Sequence, residues 1–126
     1  MRQFSVIMLL LFVTCFSSCK KEKNVTVPGY WKGSWSSGAS STHNNMATVF
    51  RSNGTVRVIY GYTSDTAAAI YKSEGTYTLD GDQLRFRYNE GSYVFIHRAT
   101  LSNKMNGTWG YSPSETNAGL FALDKQ

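Results

Sequence analysis

From residue 29 onward the sequence is a succession of short segments in which apolar and polar residues alternate, each ended by a turn signal. No window sets apolar residues three and four apart, so an amphipathic helix has no footing here. Successive side chains on a strand point to opposite faces, and a period of two therefore describes strands with one buried and one wet face. Tyr, Phe, Trp, Val, Ile and Thr are abundant and Pro occurs only twice, a composition suited to pleated, half-buried surfaces.

Eight strands are predicted, at about 29–37, 44–52, 55–63, 69–79, 83–88, 92–101, 105–111 and 118–124. The fifth is the cleanest, with Leu84, Phe86 and Tyr88 alternating with Arg85 and Arg87. In the third, Val56, Val58, Tyr60 and Tyr62 share a face; in the fourth, Tyr71, Ser73, Gly75, Tyr77 and Leu79 do. Asn53-Gly54 reads as a two-residue type I′ hairpin, a turn that needs positive φ at both central positions. Asp80-Gly81 marks another turn, and Asn89-Glu90-Gly91 reads as a three-residue turn. The run Tyr93-Val94-Phe95-Ile96 is apolar on both faces and leaves the inward side of its strand open.

An open meander of eight strands would expose two unpaired edges. Closing it removes them, so the expected fold is all-β: a single antiparallel up-and-down barrel. Two packed sheets are the alternative, but the hairpins follow one another without the long crossovers of a Greek key. At about 3.3 Å per residue, strands of this length give a barrel roughly 25 Å tall before tilt. Eight strands leave an interior that side chains fill or that holds one small ligand. Tyr60, Tyr62, Tyr77, Phe86, Tyr88 and Trp109 are the large residues expected inside, as core or as ligand wall. A buried tyrosine hydroxyl needs a partner, which a ligand can supply.

The N-terminus reads differently. Arg2 precedes an almost wholly apolar run, residues 4–16, then Ser17, Ser18 and Cys19, then Lys20-Lys21-Glu22-Lys23. This is the layout of a secretory signal, too short for a membrane span. Phe16-Ser17-Ser18-Cys19 resembles a bacterial lipobox, although Phe16 stands where Leu is usual. That resemblance implies cleavage before Cys19 and lipidation of its sulfur with a palmitate-type chain. The expected organisation is a lipoprotein signal peptide (1–18), a lipidated charged tether (19–27) and the barrel (28–126). The expected location is the cell envelope of a bacterium, anchored in its outer membrane. After cleavage Cys15 is gone and the domain has no free cysteine, so disulfides and thiol chemistry are not expected. Residues 24–126 hold nine Lys/Arg against seven Asp/Glu, a net charge of +2 that calls for no nucleic-acid partner. The tether lysines suit anionic head groups, at about 1 kcal/mol each.

Gly29-Tyr30-Trp31 resembles the Gly-x-Trp that opens the first strand of lipocalins, and Gly33-Ser34-Trp35 repeats it. The resemblance implies Trp31 as the residue closing one end of the barrel, Trp35 as the alternative, and Gly29 or Gly33 as the place where chain passes beneath it. Gly107-Thr108-Trp109 and Gly119 to Lys125 look like the close of small lipocalin-like lipoproteins of Bacteroidetes-type bacteria. Where the family sets a late-strand Arg against the plugging Trp, the nearest cation in this chain is Lys125.

Catalytic chemistry finds little footing. His43 falls beside Asn44 and Asn45 at a strand start, and His97 lies mid-strand beside Arg98. Neither belongs to a metal or triad motif, Asp80 and Asp82 fall short of a calcium loop, and Glu74 and Glu90 are far apart in sequence. No catalytic residue, metal or cofactor is assigned, and no enzyme activity is expected. Arg57, Arg85, Arg87 and Lys72 fall on outer faces, where charge blunts non-native pairing. Asp65-Thr66-Ala67 resembles the short motif that Bacteroidetes O-glycosylate, which would make Thr66 an acceptor. The favoured expectation is a barrel that binds a small apolar or amphipathic ligand. The alternative is a filled envelope barrel that meets a protein, as an inhibitor for instance, or a glycan through loops 36–43, 64–68 and 112–117.

Overall fold

The computed structural model describes residues 25–38, 40 and 43–126; the signal region, Cys19 and the tether up to residue 24 lie outside them. Eight strands form: β1 (Gly29–Ser37), β2 (Asn44–Phe50), β3 (Thr55–Tyr60), β4 (Lys72–Asp80), β5 (Gln83–Glu90), β6 (Tyr93–Leu101), β7 (Lys104–Tyr111) and β8 (Gly119–Lys125). Each pairs antiparallel with the next, and β1 pairs with β8 from Trp31 opposite Lys125 to Ser37 opposite Gly119, closing the barrel. The fold is thus an all-β, closed, up-and-down barrel.

The turns differ from expectation in ways that φ angles explain. Among the described residues only glycines have positive φ, so Asn53 cannot occupy a type I′ turn. Gly54 alone is left-handed, at +84°, and Arg51 pairs with Thr55 around a three-residue loop, with Asn53 Oδ1 accepting from the Thr55 amide. The turn after β5 is shorter than read: Glu90 pairs with Tyr93, and Gly91 (φ +58°) is the first of two loop residues, as a type II′ turn requires. The third strand ends at Tyr60, where Gly61 turns the chain, and the fourth begins only at Lys72 after a 3-10 turn over Ala69–Tyr71. Tyr62 and Tyr71 therefore leave the inward row.

Inside, two layers form. The lower one is packed: Trp31, Phe50, Val56, Leu84, Phe86, Met105 and Leu123 are buried together. Phe50 meets Tyr77 and Phe86 edge-on at 5.1 and 5.4 Å. Outside, both long loops from the opposite end fold back on the barrel wall. In the loop of residues 61–71, Thr63 accepts from the Tyr30 hydroxyl and Asp65 pairs with Arg57 at 3.2 Å. In the loop of residues 112–118, which holds a cis Ser112–Pro113 bond, Glu115 pairs with Arg85 and, at 3.7 Å, with Arg98. Gly110 lets this second loop lie close: a Cβ there would sit 2.5 Å from Asn117 Oδ1.

Candidate functional site

A cavity of about 310 Å³ opens at one end of the barrel. Its rim carries Ser37, Tyr60, Glu90 and Tyr111, the last residues of β1, β3, β5 and β7. Deeper, it is walled by Trp35, Met46, Tyr88, Phe95, His97 and Trp109. A larger groove, about 520 Å³, runs along the outward faces of β1, β7 and β8, lined by Ser34, Asn106 and Ala122. It lies outside the barrel under a loop described only in part, so the aromatic-walled cavity is the candidate site.

The alternation of β5 builds one wall of this cavity, and register builds the next. Residues directly opposite share a face of the sheet. Phe86 stands opposite His97 and Tyr88 opposite Phe95, so inward Phe86 and Tyr88 fix His97 and Phe95 as inward. Tyr88 and Phe95 stack at 5.3 Å, and His97 stacks on Phe86 at 4.5 Å. Phe121 meets the imidazole edge-on at 4.8 Å. These rings form the floor, with the packed layer below.

The polar atoms of the cavity are unevenly satisfied. The Trp109 indole donates to the Ser36 carbonyl at 3.0 Å. Trp35 Nε1 and His97 Nδ1 are buried without a hydrogen-bond partner among the described residues. The Tyr60 hydroxyl faces Ser73 and Tyr88 without a hydrogen bond of good geometry to either. Buried polar atoms nearly always have partners, so three orphans around one cavity are unusual. Burial pushes the Tyr60 phenol up to about 12 and the Tyr88 phenol well above its ordinary value, so both remain protonated. Burial alone pulls His97, 2% exposed, down to about 3, which keeps the imidazole neutral.

Trp31 lies at the other end. It is fully buried, its indole donates to the Val27 carbonyl at 2.9 Å, and Lys125 Nζ stands 5.7 Å from its ring centroid. The same lysine donates to the Thr26 carbonyl, which ties the entering chain to the final strand. At Gly33 a Cβ would come 1.8 Å from the Ala122 carbonyl oxygen, so β1 and β8 meet there only because glycine has none. A family model described as a lipocalin-like domain matches residues 27–106. The chain belongs to the lipocalin-like family. Comparison with curated proteins found no similar sequence.

Within this lipocalin-like barrel the expected lining residues divide. Tyr60, Tyr88 and Trp109 line the cavity. Phe86 lies beneath it, and Tyr77 is at the packed end, donating to the Arg51 carbonyl at 2.7 Å. Tyr62 is 44% exposed and packs on Tyr71 at 4.8 Å, so it lines nothing; the turn at Gly61 takes it off the strand. Of the two signature tryptophans, Trp35 walls the cavity, edge-on to Trp109 at 5.3 Å. Glu74 is on the outer wall, bound by Arg51 and Arg57, well apart from Glu90 at the rim. Thr66 is exposed, its hydroxyl 2.8 Å from that of Ser64. Met46, Phe95 and His97 are wall residues the sequence did not single out. The signal for Phe95 and His97 was Gly91: a two-residue turn would have set the parity of β6 from that of β5.

Proposed function

We propose that this protein is a lipid-anchored envelope barrel that holds one small apolar or amphipathic molecule in the cavity at its open end. The observation that carries the reading is that cavity: about 310 Å³, walled by Trp35, Tyr88, Phe95 and Trp109, over a packed floor. Its size is at the lower end for small-molecule sites, and its walls have the mostly aromatic character such sites show. Neither loop beside the mouth covers it, since both are pinned to the outer wall by ion pairs. The neutral, isolated imidazole and the distance of Glu74 from Glu90 favour binding over catalysis in this reading.

Native mass spectrometry of the protein purified from its own host tests it. The expected result is a bound small molecule that Ser37→Trp, which places a ring in the mouth, displaces. A ligand-free spectrum under gentle conditions, unchanged by that substitution, would count against the reading.

A second reading is contact with a protein or glycan. Ile70, 80% exposed, and the Tyr62–Tyr71 pair give the 61–71 loop an apolar surface that a partner could cover. Crosslinking in intact cells, with and without Ile70→Glu, separates the two readings.

A further inference from the structure

Resting on the proposed cavity binding, we propose that the preferred ligand is an uncharged, flat molecule that buries a hydrogen-bond acceptor, such as a ketone or ether oxygen, among Trp35, Tyr60 and His97, and that carboxylates are disfavoured. Two observations carry this independently of the cavity's size. The first is the set of orphaned groups. Trp35 Nε1 is a donor only, and the Tyr60 hydroxyl stands free to donate. His97 Nδ1 donates or accepts according to its tautomer. An acceptor at the buried end of a ligand is what these groups lack, and a pure hydrocarbon would leave them desolvated and unpaired, the costly outcome for buried polar atoms.

The second observation is charge. Among the described lining residues Glu90 alone carries a formal charge at neutral pH, and no Lys or Arg lines the cavity. A carboxylate placed here would meet no cation, would lie in the same small cavity as the Glu90 carboxylate, and would lose its water. The imidazole does not rescue it, since burial keeps His97 neutral. The wall geometry sets the body of the ligand: the parallel Tyr88 and Phe95 rings and the nearby Trp109 offer flat faces against which an aromatic or polyene body stacks. The packed layer under His97 and Phe86 stops a long chain from threading down the barrel.

Titration calorimetry on the full chain at neutral pH tests this with three probes that share a naphthalene ring and a substitution position: acetylnaphthalene, ethylnaphthalene and naphthoate. The ketone is expected to bind about tenfold more tightly than the ethyl compound, as one or two hydrogen bonds would give, and naphthoate most weakly. Trp35→Phe and Tyr60→Phe, which keep the rings, should each narrow the gap between ketone and hydrocarbon while leaving ethylnaphthalene affinity within about twofold. Equal affinity for the ketone and the hydrocarbon would overturn the polar-floor inference and leave cavity binding standing. Tightest binding of naphthoate would overturn the charge argument. If none of the three binds, the cavity-binding reading falls, and this inference with it.

Discussion

His97 occupies a position where acquiring a proton is expensive. Folded, it takes one up only near pH 3, because burial disfavours the cation; unfolded, it does so near its ordinary value of 6.5. Between those values the unfolded chain carries more protons, so stability is complete above pH 6.5 and falls as pH drops toward 3. The loss should reach about 2 kcal/mol by pH 5. Urea unfolding at pH 7 and pH 5 should show this difference in the native protein and lose most of it in His97→Phe; an equal loss in both would refute the assignment. The surface carboxylates act in a lower window. The Arg51 hydrogen bond, with Arg57 beside it, holds Glu74 below the usual carboxylate range, and that part of stability is lost only as pH falls below about 4.5. At 54% exposure Glu74 shares two arginines in water, so Glu74→Gln should cost less than about 1 kcal/mol and matter less still in high salt. A larger loss in denaturant titration would show that the network is more than a solvated surface.

At the scale of elements, strand existence was legible from alternation, and strand ends were legible wherever a glycine had to be left-handed. Asn53-Gly54 and Gly91 marked turns correctly. Their turn types came out differently because a dipeptide does not state how many residues the flanking strands leave unpaired. Tyr62 shows the same limit: it continues the alternation of β3, yet Gly61 ends the strand before it. Gly33 illustrates a requirement set by a neighbour remote in sequence. Its Cβ position is taken by the Ala122 carbonyl oxygen of β8, so Gly33→Ala must push the first and last strands apart. The expected cost is about 3 kcal/mol or more, at the severe end for a single substitution. Gly38→Ala meets only open space and a positive φ, and should cost about 1 kcal/mol. Thermal unfolding of the two variants side by side checks the order; a milder effect at Gly33 would mean the strands can separate cheaply.

For the whole molecule, closure sets two unlike ends. At one, Val27, Trp31 and Lys125 seal the barrel beside the chain's entry; at the other the cavity opens. A tether running from Cys19 to Val25 therefore joins the sealed end, and anchoring through it would hold that end nearer the membrane than the mouth. Membrane fractionation checks the anchor: Cys19→Ser should move the protein to the soluble fraction, and persistence in the membrane would sink the proposal. Taken alone, the sequence determined the class of fold, the strand order and the rows of Leu84-Phe86-Tyr88 and their like, because side-chain alternation and turn chemistry are local. Only the tertiary structure decided which rings fill the barrel and which wall a cavity, since that depends on register between strands. It placed Trp31 at the seal and Trp35, four residues on, in the cavity, and it turned His97 inward without a partner. Those outcomes come from packing around a closed circle, where each strand's place is fixed by two neighbours that no stretch of sequence contains.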